Sequence, residues 1–479
     1  MSKSNLDPVF LPESMAVAGV GSDSTSWTVG TAFVETLLDF GFKGRLYPLN
    51  PKGGETQGLK IYRSLEDIPG PVDQVMSFIP APRVPQLVKD CIAKQVKVIS
   101  LFTAGFSETG RQQGRELETE MYRLAHASGL RILGPNCMGA YCPKASLTFA
   151  SGFPRESGKV AVICQSGGNT MHLVRAAARR GVRFSKVVSY GNAGDIDESE
   201  LLEYLANDLE TEIIVAYIEG VKDGRRFRQA LDTVAASKPV IVLKGGVSEA
   251  GAGVAASHTG SLAGSDAVWE GLLRQSGAVR VRNLEELVDM MVTFLYMPLP
   301  RGRRVALFGF GGGASVLATD ECIAAGLDVP PLPSEVQAEL ANLTGTQAGT
   351  ILSNPVDLVG EGRYEILCRL ADYDGIDLLT VQVPLGNYGV VRRPGRSVHY
   401  TSLDTILKVQ GNAGKPMAVV IHWIDSDEDW RLASDYERKC SEVGLPIYHS
   451  ITGMARAVDR LFRYYGDGPQ YDRSDLRGV

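Results

Sequence analysis

Apolar residues along the chain come in short continuous runs, separated by longer stretches where they recur every three or four positions. SMAVAGV (14–20), RLYPLN (45–50), DQVMSFIP (73–80), VKVISLFT (96–103) and RILGPN (131–136) are runs of the first kind. Between the first two, Val29, Phe33, Leu37 and Leu38 share one helical face, and Gly41 ends the pattern. Continuous apolar runs suit strands buried on both faces, and their alternation with helices predicts parallel βαβ units in a doubly wound sheet. Ligands of such sheets bind at the carboxyl ends of the strands. Here those ends carry Gly19-Val20-Gly21-Ser22, Asn50-Pro51-Lys52, Ile79-Pro80-Ala81-Pro82, Thr103-Ala104-Gly105 and Gly134-Pro135-Asn136.

The alternation continues over 155–298. GKVAVICQ is a strand, Ser166-Gly167-Gly168 a tight turn, and 169–180 a helix closed by Gly181. KVVSYGN, a helix near 198–205, EIIVAYIEG with Glu219 at its end, and KPVIVLKG follow. Over 300–468 the chain repeats this unit. VALFGFGGGASVLATDECIAAGL (305–327) lies on VAVICQSGGNTMHLVRAAARRGV (160–182) without a gap, so Gly312-Gly313 falls on Gly167-Gly168. Asn354 and Asp357 echo Asn192 and Asp195, and KPMAVVIHW echoes KPVIVLKGG. Two copies of one flavodoxin-like unit are expected.

The copies differ after that last strand. The first carries KGGVSEAGAGVAASHTGSLAG (244–264), a Gly/Ala/Ser stretch with one histidine, His258, and no amphipathic pattern until Ala267. The second carries the charged IDSDEDWRLASD, and its counterpart of Glu219 falls near Val383 or Pro384. A long loop inside a compact domain is either functional or disordered. A mobile surface loop with an incidental histidine is the plainer reading. The loop's presence in one copy, together with Glu219, favours chemistry there.

Composition narrows the classes. The 479 residues suit roughly three domains, and 44% hydrophobic with 22% charged residues describes a globular chain. A net charge of -6 gives no reason to expect nucleic acid or anionic membrane. MSKSNLDPVFLPES lacks a signal peptide's apolar core, and seven cysteines without metal-ligand spacing suit a reducing compartment, so a cytoplasmic location is expected. A dinucleotide dehydrogenase is excluded, because the glycine after Gly19 and Gly21 is Gly30 and Lys52 stands where a ribose-binding acid would. Lys52 suits a phosphate instead, unless it is merely a solvated loop lysine. Gly158-Lys159 is no Walker A motif, since Gly152 lies one residue too far upstream and the lysine precedes a strand.

What remains is anion chemistry. The helix starts at Ser166-Gly167-Gly168 and Gly312-Gly313 offer free N–H groups and positive dipole ends to a phosphate. A histidine such as His258 can attack phosphorus through one ring nitrogen while a carboxylate such as Glu219 fixes the other. A metal role is disfavoured, as no second histidine or cysteine stands at ligand spacing from His258.

At this point the motifs resemble a known family. GxGS (19–22), NPKGG (50–54), IPAP (79–82), GPNCMG (134–139), QSGG (165–168), YIEG (217–220) and SHTGSLAG (257–264) are similar to those of the nucleoside-diphosphate-forming acyl-CoA synthetases. That superfamily includes succinyl-CoA synthetase and ADP-forming acetyl-CoA synthetase, and the likeness to the latter's α subunit covers roughly residues 8–465. The resemblance implies an α/β chain made of a Rossmann-like CoA-binding domain (1–150), a flavodoxin-like ligase domain with His258 (151–299) and a second one (300–479). It makes His258 the phosphorylated residue and Glu219 its support. It places coenzyme A along Gly21, Ser22, Asp23, Ser24, Lys52, Thr103, Ala104 and Gly105, with Pro80 and Asn136 on the same rim. It implies interconversion of acyl-CoA, ADP and phosphate with a small carboxylic acid, CoA and ATP, through an acyl phosphate and phosphohistidine. No stretch resembles an ATP-grasp domain, so ATP or ADP with Mg2+ is expected on an ATP-grasp β subunit of a hetero-oligomer. Met171 departs from the tyrosine that succinyl-CoA synthetase carries near its substrate, which leaves the acid open. A non-catalytic acyl-CoA-binding protein, or a CoA-dependent lyase or transferase on the same fold, stays as the alternative.

Overall fold

The computed structural model describes residues 5–22, 27–259, 264–309, 311–344, 350–358, 362–385 and 402–467, without the side chains at 256–259, 344 and 467. The chain divides into two compact units, residues 1–178 with 183–287, and residues 179–182 with 288–479.

The first unit holds two sheets. One comprises β1 (Ser14–Ala18), β2 (Arg45–Leu49), β5 (Gln74–Ser77), β6 (Val98–Leu101) and β7 (Arg131–Leu133), in the order β2-β1-β5-β6-β7 with every pairing parallel. A short hairpin, β3 (Gly54–Thr56) with β4 (Leu59–Ile61), follows β2. The other sheet runs β13-β12-β11-β9-β10-β8. Its strands are β8 (Gly139–Tyr141), β9 (Ser157–Cys164), β10 (Phe184–Ser189), β11 (Ile213–Ile218), β12 (Val240–Lys244) and β13 (Val279–Val281), all parallel except the edge strand β8. Residues 139–141 thus pair with the second sheet although they precede the long connection to β9.

The second unit is built on β14 (Val305–Gly309), β15 (Val356–Asp357), β16 (Leu378–Pro384), β17 (Met417–His422) and β18 (Ile447–Tyr448), in the parallel order β15-β14-β16-β17-β18. Taken by chain order, the parallel strands of all three sheets lie 2-1-3-4-5. That is the flavodoxin-like winding, which opens a ligand crevice between the first and third strands. The continuous apolar runs explain the burial, since every residue of β1, β5, β6, β10, β12 and β16 is buried.

Helices in the first unit that frame the strand ends are α1 (Asp7–Phe10), α2 (Val29–Phe40), α3 (Val84–Ala93), α4 (Gln112–Ser128), α5 (Gly167–Arg179), α6 (Glu198–Ala206), α7 (Gly224–Ala235), α8 (Glu249–Thr259) and α9 (Asp266–Gln275). Their starts follow capping chemistry. The side chains of Thr28, Asp197 and Asp223 accept from first-turn N–H groups of α2, α6 and α7.

One element departs from the sequence reading. The stretch expected to be a loop from Lys244 to Gly264 is helical from Glu249 to Thr259. Alanines at 250, 252, 255 and 256 favour helix without needing an apolar face. The Ser248 side chain accepts from Gly251 N at 3.1 Å and its carbonyl from Ala252 N at 2.7 Å, which starts the helix. A search for amphipathic period misses such a helix.

Candidate functional site

The strand ends of the first sheet come together in two groups. Asn50 Nδ2 donates to the Val20 carbonyl at 2.7 Å, and its Oδ1 accepts from Lys52 N at 2.9 Å. Gly21 N donates to Thr31 Oγ1 at 2.9 Å. A Cβ at Gly54, where φ is +118°, would overlap the Ser22 carbonyl, so only glycine lets the Lys52 turn close on the β1 end. Gly21, Ser22 and the exposed Lys52 therefore share one rim. Asp23 and Ser24 lie outside the described residues. In the second group Thr103 Oγ1 donates to the Ile79 carbonyl at 2.8 Å, and Asn136 N donates to the Thr103 carbonyl at 3.0 Å. Pro80 and Ala104 are exposed beside them, and at Gly105, with φ of +113°, an added Cβ would crowd Ala81. The two groups meet at the crevice between β1 and β5, where Phe78 N donates to the Ala18 carbonyl at 2.8 Å.

In the second sheet the crevice between β9 and β11 is bridged by Gln165. This side chain is 3% exposed, and its Oε1 accepts from the backbone N–H groups of Glu219 and of Gly220, the latter at 3.1 Å. Ser166, Gly167 and Gly168 follow at once. Ser166 Oγ accepts from Asn169 N at 3.3 Å, while the N–H groups of Gly167 and Gly168 open α5 and have no intrahelical acceptor. Glu219 is buried, and its Oε1 accepts from the Tyr217 hydroxyl at 3.1 Å. Burial, and then the charge of Glu219, push that phenol up. Lys244, at the adjacent strand end, is 4% exposed; its Nζ donates to the carbonyls of Glu219, at 2.8 Å, and of Gly245. The ammonium sits 5.4 Å above the Trp269 ring. Burial draws its pKa down, with Glu219 opposing. Gln165 and Lys244 therefore hold the Glu219 strand end from two sides. The sequence assigns neither a role, although Gln165 opens the QSGG motif and Lys244 the 244–264 stretch.

His258 lies in the last turn of α8, one residue before its end. Its ring, and the expected hydrogen bond to Glu219, fall outside the described residues. The backbone of α8 packs on two features. Gly246 lies beneath Ala255, and the 3₁₀ turn Ser107–Thr109, just past Thr103-Ala104-Gly105, lies against the helix. The helix bearing His258 thus rests on the loop at the end of β6.

The second unit carries Gly312 and Gly313 at the start of its helix 312–324, with no side-chain cap and open space over Gly313. Gly311 N donates to Asp357 Oδ2 at 3.0 Å, and burial raises that carboxyl. Strand registers align the copies. Val160 pairs with Ile213 and Val305 with Leu378, so Glu219, six residues past Ile213, is matched by Pro384, six past Leu378. By the same argument from Val240 and Met417, Gly245 is matched by His422. Burial draws the His422 ring's pKa down to about 4. The second copy has no carboxylate at this place.

Comparison with known proteins agrees with this fold. A family model described as a CoA binding domain matches residues 13–143, and one described as a succinyl-CoA ligase like flavodoxin domain matches 157–294. The chain is 39% identical over 366 residues to the acetate–CoA ligase [ADP-forming] II subunit alpha of Pyrococcus furiosus, covering 76% of this chain and 79% of that one. It is 36% identical over 466 residues to the acetate–CoA ligase [ADP-forming] I of Archaeoglobus fulgidus, covering 96% of this chain and 64% of that protein. The solved structure of a dinucleotide forming acetyl-coenzyme A synthetase 1 from Ca. Korarchaeum cryptofilum, in complex with phosphate and ADP, superposes with a TM-score of 0.78 at 31% identity, over 96% of this chain and 97% of that one. A CoA-binding sheet joined to a flavodoxin-like ligase sheet is the architecture of an acid–thiol ligase. The chain belongs to the family of ADP-forming acetate–CoA ligase α subunits.

Proposed function

We propose that the chain is the α subunit of an ADP-forming acyl-CoA synthetase, with His258 as phosphoryl carrier and Glu219 as its support. The carrying observation is the β9/β11 crevice. There the open start of α5 and the buried Glu219, fixed by Gln165, stand in the same compact unit as the CoA-side rim. Phosphate attacks the thioester carbonyl, so that a C–O bond forms, the C–S bond breaks and CoA leaves as thiolate. A ring nitrogen of His258 then attacks phosphorus, forming P–N while the bond from phosphorus to the acyl oxygen breaks and the carboxylate departs. The Ser166, Gly167 and Gly168 turn receives the phosphoryl oxygens, each helix-end interaction contributing about 0.3–2 kcal/mol. Glu219 accepts the other ring N–H and keeps the attacking nitrogen unprotonated. Gly312 and Gly313 are a second phosphate-binding turn in this reading.

Coenzyme A lies along Gly21, Ser22, Asp23, Ser24 and Lys52, with its reactive end by Pro80, Thr103, Ala104, Gly105 and Asn136. The three domains are 1–150, 151–299 and 300–479. ATP or ADP with Mg2+ binds a partner of ATP-grasp type. The relatives' name as α subunits, and the Archaeoglobus protein's extension beyond this chain's match, support such a partner. Among the described residues no helix is long and apolar enough to cross a membrane, and we place the enzyme in the cytoplasm.

Incubation of the purified chain with an acyl-CoA and [32P]phosphate, or with an acyl phosphate carrying the label, tests the reading. An acid-labile, base-stable label on His258 is expected, and none on His258→Asn. Full labelling of that variant overturns the assignment.

A further inference from the structure

Glu108 accepts three hydrogen bonds, one of which joins two sheets. It stands in the 3₁₀ turn Ser107–Thr109, directly after the proposed CoA-side residues Thr103, Ala104 and Gly105. Its Oε1 accepts from Gly105 N at 2.5 Å and from Phe106 N at 3.1 Å. Its Oε2 accepts from Asn192 Nδ2 at 2.8 Å. The first two bonds would suffice for a carboxylate that merely closes a local turn. The third reaches a side chain 1% exposed, in the turn after β10 of the other sheet. Asn192 is itself fixed there, its N–H donating to the Pro135 carbonyl at 3.0 Å and its carbonyl accepting from Lys222 Nζ at 2.9 Å. Lys222 lies three residues past Glu219. The turn is anchored on its other side by Ser107 N donating to Glu118 Oε2 at 2.8 Å, and α8 packs on it.

We propose that Glu108 is a positioning residue for the ligase reaction, its carboxylate holding the CoA-side loop in register with the Asn192 turn, and so with the histidine side. Gly105, at φ of +113°, takes a conformation that its own residue type permits but does not impose. Charge-assisted bonds to the carboxylate select that conformation. The inference rests on the proposed function, because the register matters only if acyl transfer from CoA and phosphoryl transfer to His258 share this edge.

The test compares two labelling rates on one preparation, so that any misfolded fraction cancels in their ratio. Labelling from acetyl-CoA plus [32P]phosphate needs the CoA side and the histidine side together, whereas labelling from acetyl [32P]phosphate needs the histidine side alone. In Glu108→Ala the ratio of the first rate to the second should fall about 10- to 100-fold, the size expected for lost hydrogen bonds to a charged acceptor. Glu108→Gln can accept from Gly105 and Phe106 through its oxygen and donate to a flipped Asn192 amide, so it should restore the ratio to within about threefold. An unchanged ratio in Glu108→Ala, or a ratio in Glu108→Gln as low as in Glu108→Ala, overturns the proposal. Wild-type chain that takes label from neither donor sinks the phosphohistidine reading instead. Calorimetry with CoA then decides the tie separately. Weakening by about tenfold in Glu108→Ala, with recovery in Glu108→Gln, upholds the tie, and equal affinities overturn it.

Discussion

Glu198 offers a prediction whose size can be worked from its surroundings. It opens α6 behind the Asp197 cap, is 2% exposed, and lies near Tyr190, whose hydroxyl feels its charge. Burial pushes its carboxyl up to about 7 from an ordinary 4.5. Its own backbone N–H, Lys222 and Arg226 pull the other way, while Asp197 adds to the rise. Because the folded chain holds this proton more tightly than the unfolded chain, the stabilisation is fully present below about pH 4.5 and is lost as pH rises to about 7. A rise from 4.5 to about 7 corresponds to about 3 kcal/mol lost at pH 8, and to less than about 1 kcal/mol at pH 5. Glu198→Gln keeps the shape and carries no charge at either pH. The variant should therefore gain about 3 kcal/mol over wild type at pH 8 and little at pH 5. Urea unfolding of both chains at the two pH values measures the difference. An equal gain at both, or none at pH 8, would refute the argument that burial penalises the ionised Glu198 carboxylate above about pH 7.

Two further outcomes concern the proposed CoA rim. Lys52→Ala should weaken CoA, and should matter less for CoA lacking its 3′-phosphate, a charge-assisted hydrogen bond being worth roughly 1.5–3 kcal/mol; calorimetry with both ligands, and with NAD as control, checks it, and tighter NAD than CoA binding contradicts the site. Gly54→Ala should loosen the Lys52 turn, since its Cβ would meet the Ser22 carbonyl at a φ of +118°; a strain of about 1–3 kcal/mol is expected, and CoA affinity unchanged from wild type would show that this turn does not shape the rim.

Much of the architecture was legible from hydrophobic pattern alone. The strand centres within the runs at 14–20, 45–50, 73–80, 96–103 and 131–136 are buried, as a parallel sheet covered on both faces requires, and that requirement is written directly into the order of residues. The ungapped repeat of 160–182 at 305–327 likewise announced a second winding of the same kind. Helix α8 was not legible, because alanine helix propensity leaves no periodic trace. Nor were the bonds that organise the site. Gln165 reaches Gly220 across 55 positions, Glu108 reaches Asn192 across 84, and Lys244 reaches back across 25 to the Glu219 carbonyl. A polar residue's local neighbours do not reveal whether its partner lies in the same turn or on another strand. Winding the strands in the order 2-1-3-4-5 sets the Gln165 and Lys244 partners side by side, and packing one sheet's loops on the other's does the same for Glu108; burial then leaves Gln165, Lys244 and Asn192 no water to bond with in their partners' place.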